Sequence, residues 1–138
     1  MIESFKADHT KIGPGIRLAA IYKKNNVEII KYDIRMIKPN TYYFPDDMMH
    51  SMEHLLATAA KKVFGDDMID LSPMGCKTGF YLTIFASSRM DELAKISKTL
   101  EISGNVRIPK PTAKNCGSYK LHNIDGARNY LNERYATR

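Results

Sequence analysis

Cysteine is scarce, long apolar runs are missing, and no segment repeats. Each absence removes a class of protein. With only Cys76 and Cys116 in 138 residues, no disulfide framework holds the chain. A domain of this size can bury about two-thirds of its unfolded surface and needs none. No apolar run approaches the ~20 residues that span a bilayer. The opening Met1-Ile2-Glu3-Ser4-Phe5-Lys6 carries an acid where a secretory signal would be basic and then apolar. Low-complexity tracts and linker-like stretches are lacking too. We therefore expect one domain over residues 1–138, cytoplasmic and reduced, with two free thiols and no membrane partner.

The net charge is +6, and 43% of residues are hydrophobic. A basic balance raises nucleic acid as a partner. The bases Lys23-Lys24 and Lys61-Lys62 are isolated pairs, however, and Glu28, Asp33, Asp66, Asp67 and Asp70 are interspersed with them. There is no aromatic-basic motif and no zinc-knuckle spacing. A solvated basic surface is the simpler reading, and no nucleic-acid partner is expected.

Ile16 to Lys23 and Val27 to Ile37, separated by Asn25-Asn26, read as a β-hairpin. In its second arm Ile30, Tyr32, Ile34 and Met36 share one face, while Lys31, Asp33 and Arg35 share the other. The charged face is either solvated or lines a site for a polar ligand. Pro45-Asp46-Asp47 prepares a helix with Asp46 or Asp47 as its cap, running from about Met48 to Phe64 and stopped by Gly65. Gly79 to Ser87 is an apolar strand. Ser88, with Asp91 three residues on, opens a second helix through about Ile102. Tyr119 to His122 is a short strand candidate, and Asn123 caps a last helix, Ile124 to Tyr135. The order ββαβα-loop-βα predicts an α+β domain, an antiparallel β-sheet packed against helices.

The first helix carries the most informative pattern, His50-Ser51-Met52-Glu53-His54. At 3.6 residues per turn, Met49, Met52, Leu56, Ala59, Ala60 and Val63 make an apolar stripe. His50 and His54 fall almost opposite it, one turn apart, with Glu53 between. A lone histidine on a helix is usually an ordinary core or surface residue. Two at i and i+4, away from the core stripe and beside a carboxylate, can bind one metal ion. The same spacing is the inverted-zincin signature. A third ligand must come from elsewhere, and Cys76, Cys116, His9, His122 and nearby acids are all candidates that spacing does not separate. A His2Cys set with an open fourth position suits a metal acting as a Lewis acid.

Five blocks in order resemble the LuxS family of S-ribosylhomocysteine lyases along nearly the whole chain. They are Ser4-Phe5 with Asp8-His9-Thr10, Lys31-Tyr32-Asp33-Ile34-Arg35, His50 to Leu56, Asp70 to Tyr81 with its Ser-Pro-Met-Gly-Cys run, and Cys116 to His122. The resemblance implies that His50, His54 and Cys116 hold one divalent metal per subunit, Fe(2+) natively and often replaced by Zn(2+) or Co(2+). It implies Cys76 and Glu53 as the catalytic acid/base pair. It places Ser4, His9, Lys31, Arg35 and Asp70 along the substrate pocket, and His122 is read as structural. The implied reaction cleaves S-ribosylhomocysteine to homocysteine and 4,5-dihydroxy-2,3-pentanedione, the precursor of autoinducer-2 in quorum sensing, and so serves homocysteine recycling in the methionine cycle. The implied assembly is a homodimer with both sites at the interface, the segment from Ser4 to His9 reaching into the neighbouring chain's pocket.

Two other readings compete. An inverted-zincin metallopeptidase would use Glu53 to activate water, but its usual downstream glutamate ligand motif is lacking and Cys76 would have no role. A nucleic-acid-binding domain would explain the charge and not the histidines.

Overall fold

The computed structural model describes residues 2–136, apart from the side chains of Glu3 and Ser4. After a one-turn helix α1 (Glu3–Lys6), strands β1 (Gly15–Lys24) and β2 (Val27–Arg35) form the expected hairpin, with Asn25 at a φ of 56° in the turn. Helix α2 (Asp46–Phe64) and a 3-10 turn (Gly65–Asp67) lead into β3 (Met68–Pro73) and β4 (Gly79–Phe85), followed by α3 (Arg89–Ser103) and α4 (Ile124–Tyr135). The strands form one antiparallel sheet in the order β1-β2-β4-β3. The α+β architecture expected from the sequence is the one observed.

One sheet face carries Ile30, Tyr32, Ile34, Phe80, Leu82, Ile84 and Leu71, and packs on the helices. Helix α2 lies central there, touching β3, α3 and α4. Met49, Met52, Leu56, Ala59 and Ala60 of the apolar stripe are buried, and Ser51, Leu55 and Phe64 join them because neighbours cover more of the helix than a single stripe. Asp46 and Asp47 lie inside the first turn rather than before it, and Pro45 is the cap residue; acids there complement the helix dipole. Ser88 and Asn123 cap as expected, accepting from the backbone N–H of Asp91 and Gly126.

The edge strand β3 has no counterpart among the expected elements, its Leu71 lying opposite Leu82 and its Ser72 opposite Tyr81. Tyr119 to His122 is a series of turns, not a strand. Its backbone groups are engaged elsewhere: Leu121 N–H donates to Ser118 O at 2.9 Å and the Leu121 carbonyl accepts from His50, while Asn123 N–H donates to Ser51 Oγ at 2.9 Å. The segment is tied to α2, which leaves nothing for a sheet edge.

On the outer face, register aligns Lys31 with Thr83 and Asp70, and Arg17 with Asp33 and Tyr81. This polar face is not simply solvated. Asp33 and Arg35 are 1% and 3% exposed. Gly79 stands opposite Arg35, where any Cβ would collide with the Ile34 carbonyl oxygen. Only glycine lets β4 begin this close to β2.

Candidate metal centre and thiol site

Helix geometry stacks His50 and His54 one turn apart, their rings edge to face at 4.8 Å. The irregular segment after α3 brings Cys116 over them. Its Sγ lies 3.5 Å from His50 Nε2 and 4.0 Å from His54 Nε2. A thiolate at ~2.3 Å and an imidazole at ~2.05 Å from one tetrahedral ion would stand roughly 3.6 Å apart. The donor spacing therefore fits a single divalent metal. His50 Nδ1–H donates to the Leu121 carbonyl at 2.7 Å, which keeps the Nε2 lone pair free for a metal.

A fourth donor was not anticipated. His122 Nε2 lies 3.7 Å from Cys116 Sγ, and all four donor atoms are within 4.8 Å of one another. The His122 ring stacks on His50 at 3.9 Å. Its Nδ1 meets Ser51 Oγ at 2.9 Å. Burial, and then the neighbouring His50 and His54, pushes the His122 pKa below its ordinary value and favours the neutral ring. The histidine read as structural thus belongs to the donor cluster. The signal was its position six residues after Cys116, in a segment without periodicity of its own. Glu53 Oε2 approaches His54 Nε2 at 4.0 Å without joining the four. His50 and Glu53 line an open hollow with Met74, Gly75, Lys77 and Gly117.

Cys76 lies in the same segment but lines a different hollow. The tight turn Met74–Lys77 is closed by Lys77 N–H donating to Met74 O at 2.9 Å, with Lys77 at a φ of 60°. Thr78 O accepts from the N–H groups of Met36 and Ile37, and Lys77 pairs with Asp46 at the start of α2. The exposed Cys76 thiol lies 3.0 Å from Thr78 Oγ1 and 3.6 Å from Arg35 Nη1. Both cysteines are free thiols.

The remaining expected residues distribute as follows. His9, its Nδ1 donating to Ala7 O at 2.9 Å, lines a hollow of about 620 Å³ with Cys76, Thr78, Asn40 and Tyr43. Arg35 Nη1 reaches the Cys76 sulfur. Lys31 rests over the Tyr81 ring at 4.3 Å, and exposed Asp70 pairs with Ser72. The Ser4 side chain lies outside the described residues. One chain therefore presents two separate groupings, the donor cluster with Glu53 nearby and the Cys76 thiol with Arg35 and His9.

Together these features define an α+β domain with a four-residue donor cluster that could hold one metal ion and a separate thiol on a tight turn. Residues 2–138 match the family model S-ribosylhomocysteinase (LuxS). An S-ribosylhomocysteine lyase of Exiguobacterium sibiricum is 39% identical over 141 residues, covering 99% of this chain and 90% of that protein. The S-ribosylhomocysteine lyase of Clostridium perfringens is 39% identical across 96% of this chain and 89% of its own length. That of Enterococcus faecalis is 34% identical across 94% and 86%. The chain belongs to the LuxS family. Among the described residues no helix is long and apolar enough to cross a membrane.

Proposed function

We propose that this chain is a metal-dependent carbon-sulfur lyase that cleaves S-ribosylhomocysteine to homocysteine and 4,5-dihydroxy-2,3-pentanedione. The observation that carries the reading is the convergence of His50, His54 and Cys116 at metal-ligand spacing in a chain of this family. The reaction needs no oxidant, reductant or added water. The sugar carbonyl moves from C1 to C2 and then C3, each step shifting one proton between neighbouring carbons. Loss of the C4 proton then expels the C5 sulfur as homocysteine, and the resulting enol becomes the diketone.

The metal bound by His50, His54 and Cys116 supplies a Lewis acid that makes the hydrogen beside a carbonyl acidic. Fe(2+) is the ion we assign, with Zn(2+) or Co(2+) as substitutes, since imidazole and thiolate donors accept all three. Cys76 carries protons between sugar carbons, as a sulfur beside a guanidinium is suited to do. Glu53, one residue before a ligand, performs the proton work of the elimination. Arg35, Lys31, Asp70, His9 and Ser4 hold the polar groups of the substrate.

Two separate groupings in one chain support a homodimer, in which the arm and Cys76 of one subunit meet the metal cluster of the other across a two-fold axis. A peptidase reading lacks support: Glu92, a buried acid on the next helix, is bonded to Tyr32 and Ser87 rather than turned to the cluster. The test is the carbon product. Incubation of metal-loaded protein with S-ribosylhomocysteine and 1,2-diaminobenzene should trap the vicinal diketone as a quinoxaline. Absence of that adduct, with hydrolysis of a casein substrate instead, would favour the peptidase.

A further inference from the structure

We propose that Thr78 is a positioning residue that holds the Cys76 sulfur in place in both of its protonation states. The inference rests on the proposed role of Cys76 as a proton carrier. Thr78 acts through the sulfur rather than on the substrate. Three side-chain atoms form a closed triangle. Arg35 Nη1 lies 2.8 Å from Thr78 Oγ1, Thr78 Oγ1 lies 3.0 Å from Cys76 Sγ, and Arg35 Nη1 lies 3.6 Å from that sulfur. A guanidinium only donates, so Thr78 Oγ1 must accept from Arg35. That uses one lone pair and leaves the hydroxyl hydrogen and the second lone pair for the sulfur.

A group that carries protons between carbons alternates between thiolate and thiol in each turnover. The thiolate needs a donor, and both Arg35 and Thr78 offer one. The thiol has a hydrogen of its own, and Arg35 has no lone pair to accept it. Thr78 serves both states by rotating one hydroxyl, while its oxygen stays where Arg35 holds it. The backbone fixes that oxygen further. Thr78 is 2% exposed, and its carbonyl accepts from the N–H groups of Met36 and Ile37 at 2.9 and 3.1 Å. The exposed sulfur is thereby kept from swinging into the hollow it lines between one proton transfer and the next. Small displacements of a reacting group are costly.

The test compares Thr78→Val, which keeps the shape and removes the hydroxyl, with Thr78→Ser, which keeps the hydroxyl. Each metal-loaded protein is assayed for homocysteine release from S-ribosylhomocysteine, and substrate recovered from heavy water is analysed by mass for deuterium. Thr78→Val should lose kcat by about 10²-fold with KM little changed, and deuterium entry should slow in step. Thr78→Ser should restore kcat to within about threefold of the wild type. Urea midpoints and metal content identify the folded, loaded molecules to which kcat refers. Near-normal kcat in folded Thr78→Val would overturn the proposal. So would a Thr78→Ser as slow as Thr78→Val, since the methyl group would then be the part that matters. If Thr78→Val does not fold, Thr78→Ala replaces it with the same two outcomes. A wild type that releases no thiol and takes up no deuterium would overturn the reaction reading, and this proposal with it.

Discussion

Arg35 Nη1 stands 3.6 Å from Cys76 Sγ, although the two residues are forty-one positions apart in the chain. The guanidinium is fixed there from three sides. Its Nε and Nη2 donate to the Asp33 carboxylate at 3.3 and 2.7 Å, and Nη1 donates to Thr78 Oγ1 at 2.8 Å. Arg17 meets the same Asp33 oxygen at 2.8 Å, so one buried carboxylate serves two arginines. A net positive charge is left facing the sulfur.

Replacing Arg35 by methionine should remove that charge and leave a buried carboxylate with a single half-exposed partner. Stability should fall by about 3 kcal/mol, the usual scale for breaking a buried pair. Urea denaturation of the wild type and the variant checks it, and equal midpoints would contradict it.

Metal content and turnover should separate at the two proton carriers. Cys76→Ala and Glu53→Gln should each retain wild-type metal by elemental analysis, since neither belongs to the donor cluster. Each should lose turnover by roughly 10²- to 10⁴-fold, the scale of a removed acid or base. Cys116→Ala should lose the metal. A fully loaded Cys116→Ala would refute the ligand assignment, and a Glu53→Gln that lost only its metal would make Glu53 a support for His54.

The core carries its own pH signature. Tyr32 is fully buried and its hydroxyl donates to Glu92 at 2.6 Å. Burial, reinforced by the bond to Glu92 and its negative charge, pushes the Tyr32 pKa from 10.0 up to about 12. The folded state then holds this proton more tightly than the unfolded chain does. Its contribution is complete below pH 10 and is lost as pH rises from 10 to 12. Chemical denaturation should show an alkaline decline that is smaller in Tyr32→Phe by on the order of 2 kcal/mol. Equal alkaline slopes in the two proteins would contradict it.

The proposed homodimer predicts how inactive subunits complement. In a dimer of Cys76→Ala with His54→Ala, one site carries both lesions and the other joins intact Cys76 to intact His54. With random exchange, half the dimers are mixed and each has one sound site, so roughly a quarter of wild-type activity should return. Exchange verified by mass with no recovery would show that each chain builds its site alone.

Much of this was readable in the residues. The hairpin, the three long helices and the caps of α3 and α4 follow local rules of turn, period and end residue, and the histidine pair is a local fact of helix spacing. What escaped depended on distant partners. β3 carries the charge and proline of a loop, and it is a strand because β4 offers it an edge. Tyr119 to His122 has strand-like residues, but α2 claims its backbone. His122 has no helical neighbour to mark it, so only the folding of its segment onto Ser51 puts it beside Cys116. The face of Asp33 and Arg35 could be read as solvated or as lining a site, and its burial was hidden because the residues that cover it, Arg17 and Thr78, lie on other elements.

The most direct test follows the sulfur. Metal-loaded protein is mixed with S-ribosylhomocysteine, and released thiol is read with a thiol-sensitive reagent beside Cys76→Ala and a chelator-treated sample. The account predicts one equivalent of homocysteine per substrate from the loaded wild type and almost none from either control. No thiol from the loaded wild type, or equal release by Cys76→Ala, would contradict it.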